Sequence, residues 1–250
     1  MTTTTTLPAL PRGLAIYVPI ADAQAETIDG TIAKLRACGA AIAVVMIQGL
    51  PYAGARGQLI TPRLAVARFA SVAARLRAAK IEVIACSFPA VDGDLVDALA
   101  HLRACAGEAG THAQLDAEPR GGAHWSPSLI RPWVDALPEM SITGTRAELP
   151  RIGWFAGEVW LQLEAQTSTD TLSQAIALAT RSTIRDRIVP VCGVFDEQGD
   201  PRTAEEIRRD LDRCTPQARV SGRMGEWSSR RLTAAKRAAL RQWVESRPLG

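Results

Sequence analysis

Apolar runs and amphipathic stretches alternate along the chain at intervals of about 30 residues, the length of one strand–helix unit. Short apolar runs at 14–20, 41–48, 81–88 and 188–195 predict strands buried on both faces. Further strands are predicted at 111–119, 141–145, 159–166 and 219–227, the fifth of them irregular and followed by Pro150. Between them lie predicted helices. One covers 25–38, with Gly39 as its stop. Another opens at Thr61-Pro62, an N-cap followed by proline, and runs to 79. Helices at 93–106, 127–137 (behind Ser126) and 172–182 follow. Thr203-Ala-Glu-Glu206 is a capping box opening a helix to 213. The last helix, 232–246, carries Leu240, Trp243 and Val244 at helical spacing. Eight strands and about seven or eight helices, without a linker of biased composition, predict a single (β/α)8 TIM barrel over 13–250, behind a flexible tail at 1–12. A doubly wound sheet is the alternative. It is disfavoured because Pro19-Ile-Ala-Asp22, after the first strand, is not a glycine-rich phosphate turn.

The stretch Thr111-His-Ala-Gln-Leu-Asp-Ala-Glu-Pro119 departs from the apolar rule. Its period of two puts His112, Gln114, Asp116 and Glu118 on one face and Ala113, Leu115 and Ala117 on the other. Strand six repeats the pattern, with Gln162, Glu164 and Gln166 opposite Leu161, Leu163 and Ala165. Buried carboxylates and amides are costly unless they are paired or face a wet cleft. In a TIM barrel that cleft lies at the C-terminal ends of the strands. The polar residues there are Asp22, Gln48, Ser87, Asp116, Glu118, Thr145, Arg146, Gln162, Glu164, Gln166, Asp196, Glu197, Glu226 and Trp227.

Composition narrows the classes. The chain has 250 residues, 47% hydrophobic and 22% charged, with a net charge of +3, so a sizeable core is expected and no nucleic-acid surface is indicated. No apolar run is long enough to span a membrane. Residues 1–11 are Thr- and Pro-rich without a basic start or apolar core, so synthesis in the cytoplasm without a secretion signal is expected. The five cysteines show no CxxC and read as buried free thiols. Three histidines without His-x-His spacing speak against a metal hydrolase. None of the three lysines ends a strand, which speaks against a Schiff-base enzyme. Glycine-rich phosphate loops and a G-x-S-x-G elbow are absent from the sequence, so no cofactor is expected.

Paired acids at a barrel mouth suit glycosidic bond cleavage. Two residues apart on one strand, Asp116 and Glu118 have Cα atoms about 6.5–7 Å apart and point the same way. Glu118, nearer the mouth, is the expected general acid. Asp116, deeper, is expected to stay ionised and to orient an acetamido group, with Glu164 as a third catalytic candidate. Gln48, Gln114, Gln162, Gln166 and Glu226 are expected to bind sugar hydroxyls, His124 to touch substrate, and Trp125 and Trp227 to stack on pyranose faces. The bland readings are pairing of Asp116 and Glu118 with arginines, core packing for Trp227, and a satisfied histidine low in the barrel for His112.

Asp116-Ala-Glu118 resembles the Asp-x-Glu ending of the fourth strand in glycoside hydrolase families 18 (chitinases) and 25 (lysozyme-type muramidases). Gly222-Arg-Met-Gly-Glu-Trp227 is similar to the eighth-strand motif of family 18, whose Trp floors the sugar pocket. The resemblance implies an N-acetylhexosamine polymer, peptidoglycan or chitin, as substrate, with Glu118 as acid and Asp116 as its partner. Two positions depart from it. Gln114 stands where family 18 has another Asp, and the first strand, Ile16-Tyr-Val-Pro-Ile20, lacks the Asp of family 25. Glu118-Pro119 also looks like the acid/base of clan A glycosidases, although Ala117 replaces their usual Asn. A wall enzyme without a secretion signal implies release by lysis or carriage in a phage-like particle. The rivals are a catalytically degenerate barrel that binds carbohydrate or serves as a structural module, and a cytosolic enzyme whose acidic strand ends hold Mg²⁺.

Overall fold

The computed structural model describes residues 7, 9–24, 27–53, 59–118, 123–145, 154–155, 157–163, 185–193, 203–246 and 249. Eight parallel strands form a closed barrel: β1 (Gly13–Val18), β2 (Ile42–Gln48), β3 (Glu82–Ser87), β4 (His112–Asp116), β5 (Ser141–Thr145), β6 (Val159–Gln162), β7 (Ile188–Gly193) and β8 (Arg223–Trp227). Each pairs with its sequence neighbours, and β8 closes on β1. Six helices surround them among the described residues: α1 (Ile28–Cys38), α2 (Val66–Ala78), α3 (Leu95–Ala109), α4 (Pro127–Ala136), α5 (Ala204–Ser221) and α6 (Ala234–Ser246). The expected helix at 172–182 lies outside the described residues. The fold is therefore the expected (β/α)8 barrel, fifth strand included.

Two element boundaries differ from the sequence pattern. Thr61-Pro62 does not open α2; its N-cap is Ala65, without a side-chain cap. The chain before it stays extended because the end of β2 supplies its partners. Gly49 N–H donates to the Pro62 carbonyl at 3.0 Å, and Leu64 N–H to the Ile47 carbonyl at 2.8 Å. The helix α5 runs through Pro216 to Ser221, so β8 starts at Arg223, not at Arg219. Its buried stripe of Ile207, Leu211, Cys214 and Ala218 continues past the proline and outweighs one lost hydrogen bond. Gly222, at φ 74°, then ends the helix in the left-handed region.

Alternation along each strand divides the core in two. Leu14, Ile16 and Val18 of β1, with their counterparts on the other strands, face the helices. Ala15, Tyr17, Ile42, Val44, Met46, Ile84, Cys86, Trp160, Val189 and Val191 fill the lumen, with Tyr17 edge-on to Trp160 at 6.2 Å. Leu10 packs under this inner cluster. Residues 10–12, read from sequence as part of a flexible tail, are held there. Arg223 donates to the carbonyls of Leu10 and Pro11, and Arg12 to those of Leu249 and Arg219.

Candidate active site

The lumen is apolar on the side of β1–β3 and β7 and polar on the side of β4–β6. Along β4, Ala113, Leu115 and Ala117 all lie in the helix-facing core. Gln114 and Asp116 therefore point inward, as the period of two requires. Gln114 is fully buried. Its Oε1 accepts from the Tyr17 hydroxyl at 2.8 Å, and its Nε2 donates to Ser141 Oγ at 3.0 Å. A neutral amide can accept and donate at once, so it bridges two hydroxyls without burying a charge.

One step nearer the mouth, Asp116 is 1% exposed. Gln162, across β5 on β6, donates from Nε2 to Asp116 Oδ1 at 3.1 Å and to Thr143 Oγ1 at 3.2 Å. The Thr143 hydroxyl sends its own proton to the Trp160 carbonyl at 2.9 Å, which frees its oxygen to accept. Both acceptors are served by the one amide nitrogen, which fixes the orientation of the Gln162 side chain. Glu118 is half-buried at the rim. Burial pushes its carboxyl above the ordinary range, and a hydrogen bond with Gln162 offsets part of that rise. Cys86, on the adjacent strand β3 in register with Gln114, has its thiol driven well above its usual range, first by burial and then by the neighbouring Asp116 and Glu118. The deep Asp116, held by an amide donor, and the rim Glu118, raised by burial, thus sit in different environments at the end of one strand.

The other sequence-predicted residues divide. Gln162 belongs to the cluster, but it serves the carboxylates directly. Gln48 is buried at the end of β2, and its Oε1 has no hydrogen-bond partner among the described residues. His124 is exposed in the loop after β4. Trp125 is fully buried and edge-on to Trp133 of α4 at 6.2 Å, so it packs the helix layer and presents no ring to a sugar. Glu226 is paired in register with Ile16 and Cys192, which both face the helices, so its side chain leaves the lumen. Trp227 ends β8 opposite Gly193, and its side chain lies outside the described residues. Glu164, Gln166, Arg146, Asp196 and Glu197 also lie outside them.

Sequence reasoning missed Tyr17, Ser141 and Thr143. Their signal was present, because each is the inward residue of its strand by parity. His112 sits low in the barrel, lining a cavity of about 290 Å³ at the opposite end with Glu158 and Arg223. Asp22, after β1, accepts from Ser229 Oγ at 2.6 Å and faces Arg230 at 3.8 Å, which ties the first loop to the one after β8. Among the described residues no group of three or more His, Cys, Asp or Glu is arranged to hold a metal ion. None of the described helices is long and apolar enough to cross a membrane.

No protein-family model and no curated protein sequence matches the chain. Solved structures do. The C-terminal domain of a candidate chitinase from Desulfitobacterium hafniense DCB-2 superposes with TM-score 0.68 at 6% identity, covering 95% of this chain and 99% of that one. The spore cortex-lytic enzyme SleL of Bacillus megaterium QM B1551 gives TM-score 0.61 at 9% identity, covering 93% of this chain and 74% of its own. A xylanase-α-amylase inhibitor protein in complex with trehalose gives 0.62 at 12% identity, covering 92% and 98%. Identities this low establish the shared barrel and leave activity to the site itself.

Proposed function

We propose that this chain is a glycoside hydrolase acting on N-acetylhexosamine polymers, peptidoglycan foremost and chitin second. The observation that carries the reading is the pairing of Glu118 and Asp116 on the inward face of β4 in opposite environments. Burial raises the Glu118 carboxyl above its ordinary range, the direction a general acid needs, and the Gln162 amide donates to Asp116. In the proposed reaction Glu118 gives its proton to the glycosidic oxygen as the bond to the anomeric carbon breaks. Asp116 orients the acetamido group of that sugar, whose carbonyl oxygen attacks the same carbon from the opposite face. The Glu118 carboxylate then takes a proton from the water that opens the cyclic intermediate, so configuration is retained. The likeness to a cortex-lytic enzyme and to a candidate chitinase supports this substrate class.

A second reading rests on Gln114. A buried amide bonded to Tyr17 and Ser141 stands where the family 18 pattern has a third acid, and the trehalose-bound inhibitor protein shares the fold. On this reading the barrel binds glycan without cleaving it. Purified protein with cell-wall sacculi and chitooligosaccharides separates the two. Release of reducing ends that falls about 10²–10⁴-fold in Glu118→Gln supports the hydrolase. Calorimetric binding without turnover supports the second reading. Turnover that Glu118→Gln leaves unchanged refutes the proposed mechanism.

A further inference from the structure

All five cysteines are buried and free, and two of them touch. Cys192 on β7 and Cys214 on α5 lie 22 residues apart in sequence with their sulfurs at 3.5 Å. This is the one sulfur–sulfur contact among the described residues. The two elements are already fixed at the other end of their contact, where Gln217 Nε2 donates to the Ile188 carbonyl at 2.9 Å. Pro216, two residues beyond Cys214, cannot donate to the carbonyl four residues back, so the helix ladder lacks one hydrogen bond near the thiol. Closing the remaining gap to a covalent S–S length of about 2.05 Å needs a local shift of about 1.5 Å.

We propose that Cys192 and Cys214 are a disulfide-forming pair, a staple between β7 and α5 that closes when the chain folds in the presence of a low-molecular-weight disulfide. One cysteine thiolate attacks the small disulfide, forms a mixed disulfide and expels one small thiolate. The second cysteine attacks the mixed disulfide and expels the other. The two cysteines lose two electrons and two protons, and the small disulfide becomes two thiols. In the folded, reduced chain the hydrogen bond with Cys214 and then burial drive the Cys192 thiol well above its ordinary range. The thiolate is therefore scarce, and the bond forms while α5 is docking. The staple ties the end of β7 to the middle of α5.

The full chain, unfolded and reduced, is refolded in a glutathione redox couple, quenched with acid, alkylated in denaturant and mapped by mass spectrometry. The expected product links Cys192 to Cys214 and carries alkylated Cys38, Cys86 and Cys105. Its melting temperature is higher than that of the reduced protein by about 5–10 °C, and dithiothreitol reverses the gain. Cys214→Ser loses the shift, and Cys192→Ala serves if that variant does not fold. Five alkylated cysteines, a different pairing, or an oxidised form no more stable than the reduced one would each overturn the assignment.

Discussion

Two glutamines show how a single side chain sets the character of this lumen. Gln114 and Gln162 look alike in sequence as sugar-binding forks. In the barrel the first bridges Tyr17 and Ser141, and the second serves Asp116 and Thr143. Gln162→Leu removes a donor from two buried groups and should lower stability by about 1–3 kcal/mol in urea unfolding. Glu118 makes a pH-dependent prediction. Its folded value lies above the unfolded one, so within that window the folded chain holds a proton that the unfolded chain has released. Stability therefore falls as pH rises through the window and stays lower above it. Glu118→Gln should melt about 1–3 °C higher than the parent at neutral pH, and the difference should vanish below the ordinary carboxylate range. Thermal scans at both pH values check it. If Glu118 is the acid, turnover should also fall on the alkaline side of the same window.

At the level of elements, alternation along β4 was legible because one face is wholly small and apolar. The reading of β8 was less successful for a reason the sequence already contained. Glu226 and Trp227 are adjacent, and adjacent strand residues cannot both face the lumen. The partnering of Glu226 with Ile16 and Cys192 decides which of them leaves it. The ends of α2 and α5 were not legible from local signals. Pro62 and Pro216 are strong punctuation, but a pairing with β2 at the first and a continuous buried stripe at the second overrode them. Gly222 makes the stop of α5 testable. An alanine there would hold φ 74° with its Cβ 2.8 Å from Arg12 Cζ, an atom pinned by hydrogen bonds to two carbonyls. Gly222→Ala should cost about 1–2 kcal/mol in denaturant unfolding.

The whole molecule closes at two ends. At the mouth, Ser229 and Asp22 tie the loops after β8 and β1. At the opposite end, Arg223 pairs with Glu158 and holds the carbonyls of Leu10 and Pro11, while Glu158 also accepts from Trp160 Nε1 at 3.2 Å. One guanidinium thus joins the N-terminal strap, β8 and the entrance to β6. Arg223→Ala leaves the half-buried Glu158 without this cation and should lower stability by about 2–3 kcal/mol, read from the urea midpoint at unchanged slope. Residues 10–12 looked like part of a tail because a strap held through its carbonyls has no side-chain periodicity to read.

The sequence by itself determined the eight strands, the six described helices around them and the inward face of β4, because burial imposes a period of two on strands and a wider apolar stripe on helices. It also placed Asp116 and Glu118 on one side of one strand. Only the tertiary structure decided which polar groups meet. Barrel closure and register bring Gln162 across β5 to Asp116, set Tyr17 against Gln114, turn Glu226 toward the helices and bury Trp125 under Trp133. Those outcomes depend on the offset between strands far apart in the chain, and that offset is fixed by the packing of all eight together.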